Sequence, residues 1–147
     1  MKCAARAQCS LISSSWAFER IFREYHFRSH PNCWGAPPAM MKGWIDRVFA
    51  PEAAYTFAKG VDQGDEPRGL LKLRAALVLN TGNTPAEREQ AHFGDPLDRI
   101  WRRCILEYCG VPEVRRRLFG VIATSTAEQR SGWLEDATHL AQESLVD

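Results

Sequence analysis

Two short apolar runs constrain what this chain can fold into. Residues 75–79 read Ala-Ala-Leu-Val-Leu and residues 118–124 read Leu-Phe-Gly-Val-Ile-Ala-Thr. Each is short and continuously apolar, the pattern of a strand covered on both faces. Between them lies a helix signal. Asp95 suits the N-cap, Pro96 the first position and Asp98 the first turn. Leu97, Ile100, Trp101, Cys104, Ile105 and Tyr108 then recur at helical spacing until Gly110, with Pro112 beyond it. After the second run, Ser125-Thr-Ala-Glu128 reads as a capping box opening a last helix through Trp133, Leu134, Ala137, Leu140 and Ala141. Strand, helix, strand, helix predicts an α/β fold with a parallel sheet flanked by helices.

Upstream, residues 30–49 read His-Pro-Asn-Cys-Trp-Gly-Ala-Pro-Pro-Ala-Met-Met-Lys-Gly-Trp-Ile-Asp-Arg-Val-Phe. Pro31, Pro37 and Pro38 fix φ, Gly35 permits close backbone approach, and Trp34 offers a planar wall, so this loop is a stiff seat for a flat ring. It runs into a helix whose stripe is Met40, Met41, Trp44, Ile45, Val48 and Phe49, with Lys42 and Asp46 four apart on the polar side. Residues 16–27 repeat Phe18, Ile21, Phe22 and Tyr25 at helical spacing and predict a short amphipathic helix. Residues 24–30 are polar and give no strand signal, and residues 1–12 have no convincing period.

A chain of 147 residues with 45% hydrophobic content is the size of one globular domain. Nineteen basic and eighteen acidic residues leave a formal charge of +1, which favours neither nucleic acid nor an anionic membrane. The runs Arg102-Arg103 and Arg115-Arg-Arg117 read as a solvated face. Five cysteines without paired spacing point to a reducing cytoplasm, with no disulfide framework or metal site. Cys104 and Cys109 are expected on or near an apolar helix face, where burial makes a thiol inert. No segment has the length of a membrane span, and no secretory leader is indicated.

In open parallel sheets a ligand lies beyond the carboxyl ends of the strands, which directs attention to Asn80-Thr-Gly-Asn-Thr84 after the first apolar run. Gly82 lets backbone amides approach a planar heteroring, and Asn80, Thr81, Asn83 and Thr84 offer donors and acceptors for its carbonyls and nitrogens. The same residues equally suit an ordinary turn.

The loop 31–38 followed by Lys42-Gly-Trp-Ile-Asp-Arg-Val48 resembles the flavodoxin-like NAD(P)H:quinone oxidoreductases, in order and in spacing. The resemblance continues through Ala54-Tyr-Thr-Phe57, Asn80-Thr-Gly-Asn83 and Phe93-Gly-Asp-Pro-Leu97, and covers roughly residues 30–140. It implies a flavodoxin-like domain over residues 30–147, preceded by an atypical segment, 1–29, in which the family's first strand and phosphate loop are missing or replaced. It also implies FMN or FAD as cofactor and NAD(P)H as electron donor, with hydride passing through the flavin to a quinone-like acceptor. Asn32, Cys33, Trp34 and Gly35 would line one edge of the flavin, and Asn80, Thr81, Gly82 and Asn83 its pyrimidine side. Trp34, Tyr55 and Phe57 would meet the substrate, the latter two across a homodimer interface, and Trp44 resembles an interface residue. His92 is the candidate to aid substrate binding or balance flavin charge. Cys33 stands where the family usually has a second Trp. The rival expectation is a non-catalytic remnant or binding module that keeps the fold without flavin.

Overall fold

The computed structural model describes residues 24–57 and 67–146. Three strands, β1 (Tyr25–Pro31), β4 (Ala75–Thr81) and β5 (Glu113–Phe119), form an all-parallel sheet in the order β1-β4-β5. Two short strands, β2 (Tyr55–Thr56) and β3 (Arg68–Gly69), pair antiparallel beside it. The helices are α1 (Ala39–Val48), α2 (Ala86–Phe93), α3 (Pro96–Arg99) with a π-wound continuation over Ile100–Glu107, and α4 (Ala127–Val146). Along β4, Ala75, Ala76, Leu77 and Val78 are all buried, as expected of a central strand covered on both sides.

Side chains alternate across the sheet, so register decides which ones meet the helices. Ala76, Val78 and Val114 join Ile45, Leu97, Trp101, Ile105, Leu106 and Val111 in one core between the sheet and helices α1 and α3. On the opposite face α4 lies against the sheet, with Trp133 6.1 Å from Phe119 between ring centroids. Arg117 reaches Asp136 at 3.6 Å and Arg115 reaches Glu143 at 3.9 Å, tying β5 to α4.

The predicted helix over 16–27 is corrected at its end: residues 16–23 lie outside the described residues, and Tyr25, His26 and Phe27 are extended in β1. The strand immediately before the Pro/Trp loop therefore exists, although its residues are polar. The physical reason is its parity, which aims His26, Arg28 and His30 at aromatic partners on the helix-covered face. His26 stacks on Trp44 at 6.4 Å and meets Phe49 edge-on, the Arg28 guanidinium lies 4.6 Å from the Trp44 ring, and His30 lies 5.6 Å from Trp101. Trp44 thus packs against its own chain's core.

The second predicted strand is also shifted. It covers Glu113–Phe119, and the arginine run read as a solvated face is inside it. The Arg116 side chain is only 5% exposed; Asp95, the N-cap of α3, and acids on α4 pair with the run, while among the described residues the buried Arg116 Nη2 has no hydrogen-bond partner. The capping box moves by one residue: the Thr126 N–H donates to Gln129 Oε1 at 2.9 Å, and the Gln129 N–H donates to Thr126 Oγ1 at 3.2 Å. Asp95 caps α3 as expected, accepting from the Asp98 N–H at 3.2 Å. The following π winding is wider than an α-turn. Trp101, Ile105 and Leu106 stay inside, while Cys104 turns out to solvent, contrary to its predicted apolar position. Cys109 is buried, which pushes its thiol pKa up.

Burial, and then the nearby Arg28 charge, lower the His26 pKa from 6.5 to about 4, and its Nε2 has no hydrogen-bond partner. The unfolded chain therefore binds a proton that the folded chain refuses, so stability is complete above pH 6.5 and falls as pH drops towards 4. Between those limits His26 accounts for about 2 kcal/mol of lost stability. In urea titrations across that window, His26→Leu should flatten the pH slope of the unfolding free energy; an unchanged slope would contradict the assignment.

Candidate functional site

The chain leaves β1 at Pro31 and reverses at once. The Cys33 N–H donates to the Ala36 carbonyl at 3.0 Å, and the Ala36 N–H returns a bond to the Cys33 carbonyl at 3.1 Å. Between them Trp34 and Gly35 have φ of 57° and 75°, so both central residues of the turn are left-handed. That conformation is natural for Gly35 and costly for Trp34, whose indole is left fully exposed. A Cβ on Gly35 would also lie 2.6 Å from Pro96 Cγ, so glycine is required by close approach as well as by φ. Asn32 locks the turn: its Oδ1 accepts from the Gly35 N–H at 2.8 Å, its own N–H donates to the Thr81 carbonyl at 2.7 Å, and its Nδ2 donates to Glu89 Oε1 at 3.2 Å.

The loop after β4 is held just as firmly. The Gly82 N–H donates to the Phe119 carbonyl at 2.9 Å, and its carbonyl accepts from Ile122 at 3.0 Å. Asn83 Oδ1 accepts from the Ala123 N–H at 2.8 Å. The two loops therefore stand side by side at the carboxyl ends of adjacent parallel strands, where open α/β sheets bind ligands.

They enclose a cavity of about 940 Å³. Pro31, Asn32, Cys33, Trp34 and Gly35 form one wall, and Thr81, Gly82, Asn83 and Thr84 the other. Glu89 and Phe93 of α2, Pro96 of α3 and Ile122 after β5 complete it. Two of its aromatic side chains are wet: Trp34 is fully exposed and Phe93 is 59% exposed. Large exposed aromatics beside a cavity are a binding surface in search of a flat apolar face. Among the described residues, the backbone N–H groups of Trp34, Asn83 and Thr84 have no acceptor within the protein, so they are free to meet a ligand's carbonyls and ring nitrogens. A Cβ on Gly82 would come within 3.3 Å of Leu118 Cδ1 and thicken the wall on which a ring would lie. Shape, aromatic walls and free donors all fit a planar heteroring.

Seven of the eight residues expected to hold a cofactor therefore meet in one place: Asn32, Cys33, Trp34, Gly35, Thr81, Gly82 and Asn83. Asn80 lies behind the wall and is fully buried. Its Nδ2 lies 3.1 Å from His30 Nε2, and its Oδ1 accepts from Arg116 Nε at 2.7 Å. Arg116 Nη1 reaches Asp95 Oδ2 at 2.6 Å, and the Trp101 indole N–H donates to His30 Nε2 at 2.7 Å. With Nε2 accepting, His30 is neutral and carries its proton on Nδ1, which lies 2.7 Å from the Pro31 carbonyl. Burial first, and the Arg116 charge second, lower the His30 pKa, and the Pro31 bond opposes them. This buried network anchors the start of the cavity loop to the core.

His92 is exposed and outside the cavity lining, its ring tilted at 52° and 6.2 Å from that of Phe93, which does line it. Tyr55 and Phe57 also stand away from it; they pack edge-to-face at 5.7 Å, and Tyr55 meets Tyr108 at 5.0 Å. Thr84, read from the sequence as a donor beside the ring, lines the cavity, while Glu89, Phe93, Pro96 and Ile122 were not read as wall residues. Phe93 and Pro96 carried a signal, since both belong to the Phe93-Gly-Asp-Pro-Leu97 segment. Glu89 carried none, because one acid on a polar helix looks solvated until its burial is seen.

Known proteins share this sequence and fold. Over 121 residues, 80% of the chain, it is 29% identical to an uncharacterized NAD(P)H oxidoreductase of Haemophilus influenzae, covering 56% of that protein. It is 26% identical over 132 residues, again 80% of the chain, to NAD(P)H dehydrogenase [quinone] 1 of Rattus norvegicus, covering 47% of it. The chain thus spans about half the length of these curated relatives. Smu.1420 from Streptococcus mutans superposes with a TM-score of 0.70 at 20% identity, over 92% of this chain and 71% of that one. An NAD(P)H:quinone oxidoreductase from Methanothermobacter marburgensis does so with a TM-score of 0.65 at 21% identity, over 92% and 72%. With residues 29–141 matching the model of the family described as having a flavodoxin-like fold, this chain belongs to that family, as its motifs implied.

Proposed function

We propose that the chain is an NAD(P)H-dependent flavin oxidoreductase of quinone-reductase type, binding FMN or FAD in the cavity between the β1 and β4 loops. The observation that carries this reading is the convergence of both family-like loops on one cavity at the carboxyl ends of the parallel strands. The names of the two curated relatives, both NAD(P)H enzymes, support the electron donor, and the rat protein's name supports a quinone acceptor.

A flavin held there would supply hydride chemistry between a nicotinamide and an acceptor. The chain's own residues bind and orient. Asn32 holds the turn that presents Trp34 and Gly35, and the free N–H groups of Trp34, Asn83 and Thr84 offer donors to ring carbonyls and nitrogens. Trp34 and Phe93 cover a ring's apolar faces and keep water from it. The same reading makes the protein a homodimer, supported by Met40, Val48 and Phe57, apolar side chains exposed on α1 and just beyond β2. It also places the protein in the cytoplasm, consistent with cysteines that lack paired spacing. Among the described residues no helix is long and apolar enough to cross a membrane.

The test is NAD(P)H consumption, followed by loss of nicotinamide absorbance, with FMN or FAD and a benzoquinone acceptor supplied. Consumption that requires protein, flavin and quinone together is the expected result. No consumption above the flavin-only background with either flavin would overturn the activity and leave a binding module of the same fold.

A further inference from the structure

One carboxylate, Glu89, lines the cavity, and it is only 4% exposed. A carboxylate accepts at both oxygens, and burying one is costly unless donors meet them. Among the described residues the Glu89 side chain has a single partner, the Asn32 amide, which donates to Oε1 at 3.2 Å. Oε2 has no donor among them, yet it is not sealed inside the protein, so it is left to whatever occupies the cavity. The group is also fixed, because Asn32 is itself held through Oδ1 by the Gly35 N–H. The same walls carry the free backbone N–H groups of Asn83 and Thr84. Free donors and one fixed acceptor around a single cavity complement a ring edge that reads carbonyl, N–H, carbonyl.

From this we infer that Glu89 is the acceptor for a ring N–H: its carboxylate holds the imide edge of the flavin ring. The inference rests on the flavin reading above and deepens it by naming the group recognised and the residue that recognises it. A simple quinone has no N–H, so Glu89 serves to orient the cofactor and not the acceptor. The bond is made at the ring edge, which FMN, FAD and the bare ring share, so it asks nothing of a phosphate carried on the side chain. A hydrogen bond to a charged acceptor is about twice as strong as one between neutral groups, and stronger again where water is partly excluded. Glu89 also supports the turn through Asn32, so recognition and scaffold must be separated. Glu89→Gln does that, since the glutamine carbonyl still accepts from Asn32 while an amide N–H2 replaces Oε2 and sets donor against donor.

The experiment is equilibrium dialysis of the full chain against two neutral rings, lumiflavin and 3-methyllumiflavin, which differ only in whether the imide nitrogen carries a proton or a methyl group. Wild-type protein should bind lumiflavin about tenfold tighter. In Glu89→Gln that ratio should fall to about threefold or less, through weaker lumiflavin binding, with the methylated ring held as before. Equal binding of both rings by the wild type would overturn the contact and leave ring binding standing. The same tenfold ratio in Glu89→Gln would do so too, since the methyl group would then be excluded by shape and not by loss of a bond to Glu89. A variant that loses both rings to the same degree would show that Glu89 acts through the turn alone, which also overturns the contact. If the wild type binds neither ring, the flavin reading fails and the inference fails with it.

Discussion

Trp101→Ala should destabilise the protein by about 4 kcal/mol. Trp101 is the largest fully buried side chain, set among Ile45, Val78, Leu97 and Ile105. Truncation removes its packing and opens a cavity that a three-stranded sheet and its helices fill only in part. It also removes the indole N–H from His30 Nε2, leaving that nitrogen to Asn80 alone. Trp101→Phe keeps most of the volume and loses the hydrogen bond, and should cost about 1–2 kcal/mol. Urea unfolding measures both: the alanine midpoint should fall by about 1–2 M and the phenylalanine midpoint by clearly less. Equal losses would mean that the bond to His30, and not packing, dominates at this position. A loss below about 1 kcal/mol for Trp101→Ala would contradict the burial itself.

The second large effect belongs to Arg116. Its side chain is 5% exposed, its Nε holds Asn80 Oδ1, and its Nη1 holds Asp95 Oδ2. Arg116→Met keeps the aliphatic stem and leaves two acceptors without their cation. Removing one partner of such a pair costs about 3 kcal/mol, because the remaining charge stays partly desolvated. The loss should shrink in Asp95→Asn/Arg116→Met relative to the sum of the single changes, by about 1 kcal/mol or more in a double-mutant cycle. Strict additivity would show that the pair contributes no coupling. Because Asp95 also caps α3, Asp95→Asn, which still supplies a capping oxygen, is the appropriate partner change.

Much of this architecture was legible because its signals were local. The apolar run inside β4, the Asp95-Pro96 helix start, the Gly110 stop and the stiff loop after Pro31 each follow from one or two residues acting on their own neighbourhood. Where the reading failed, the deciding partner was far away in sequence. Nothing in residues 24–30 announces a strand; His26, Arg28 and His30 are tolerated there because Trp44, Phe49 and Trp101 arrive from other elements to cover them. Likewise, Arg115, Arg116 and Arg117 look solvated until Asp95, Asp136 and Glu143 are brought opposite.

The site divided in the same way. Both loops were visible in the sequence, and the structure gathers seven of their eight named residues around one cavity. Asn80 fell outside it because strand parity, which one residue reverses, turns its side chain into the core. Glu89 was hidden by its helix, whose composition is polar and whose inward face is set by contact with the β1 loop. Cys33 keeps its place on the cavity wall, where the backbone bonds to Ala36, not the identity of the side chain, define the turn.

The most direct test of the central claim, that the two loops form a planar-ring site, is retained flavin absorbance. The full chain is incubated with FMN or FAD, passed over a gel-filtration column, and compared with Gly35→Val, whose new side chain would strike Pro96 and strain a residue at φ of 75°. The account predicts a yellow wild-type protein with close to stoichiometric flavin and a Gly35→Val protein, folded by circular dichroism, that loses most of it. A colourless wild-type protein with both flavins, or a Gly35→Val protein as yellow as the wild type, would contradict it.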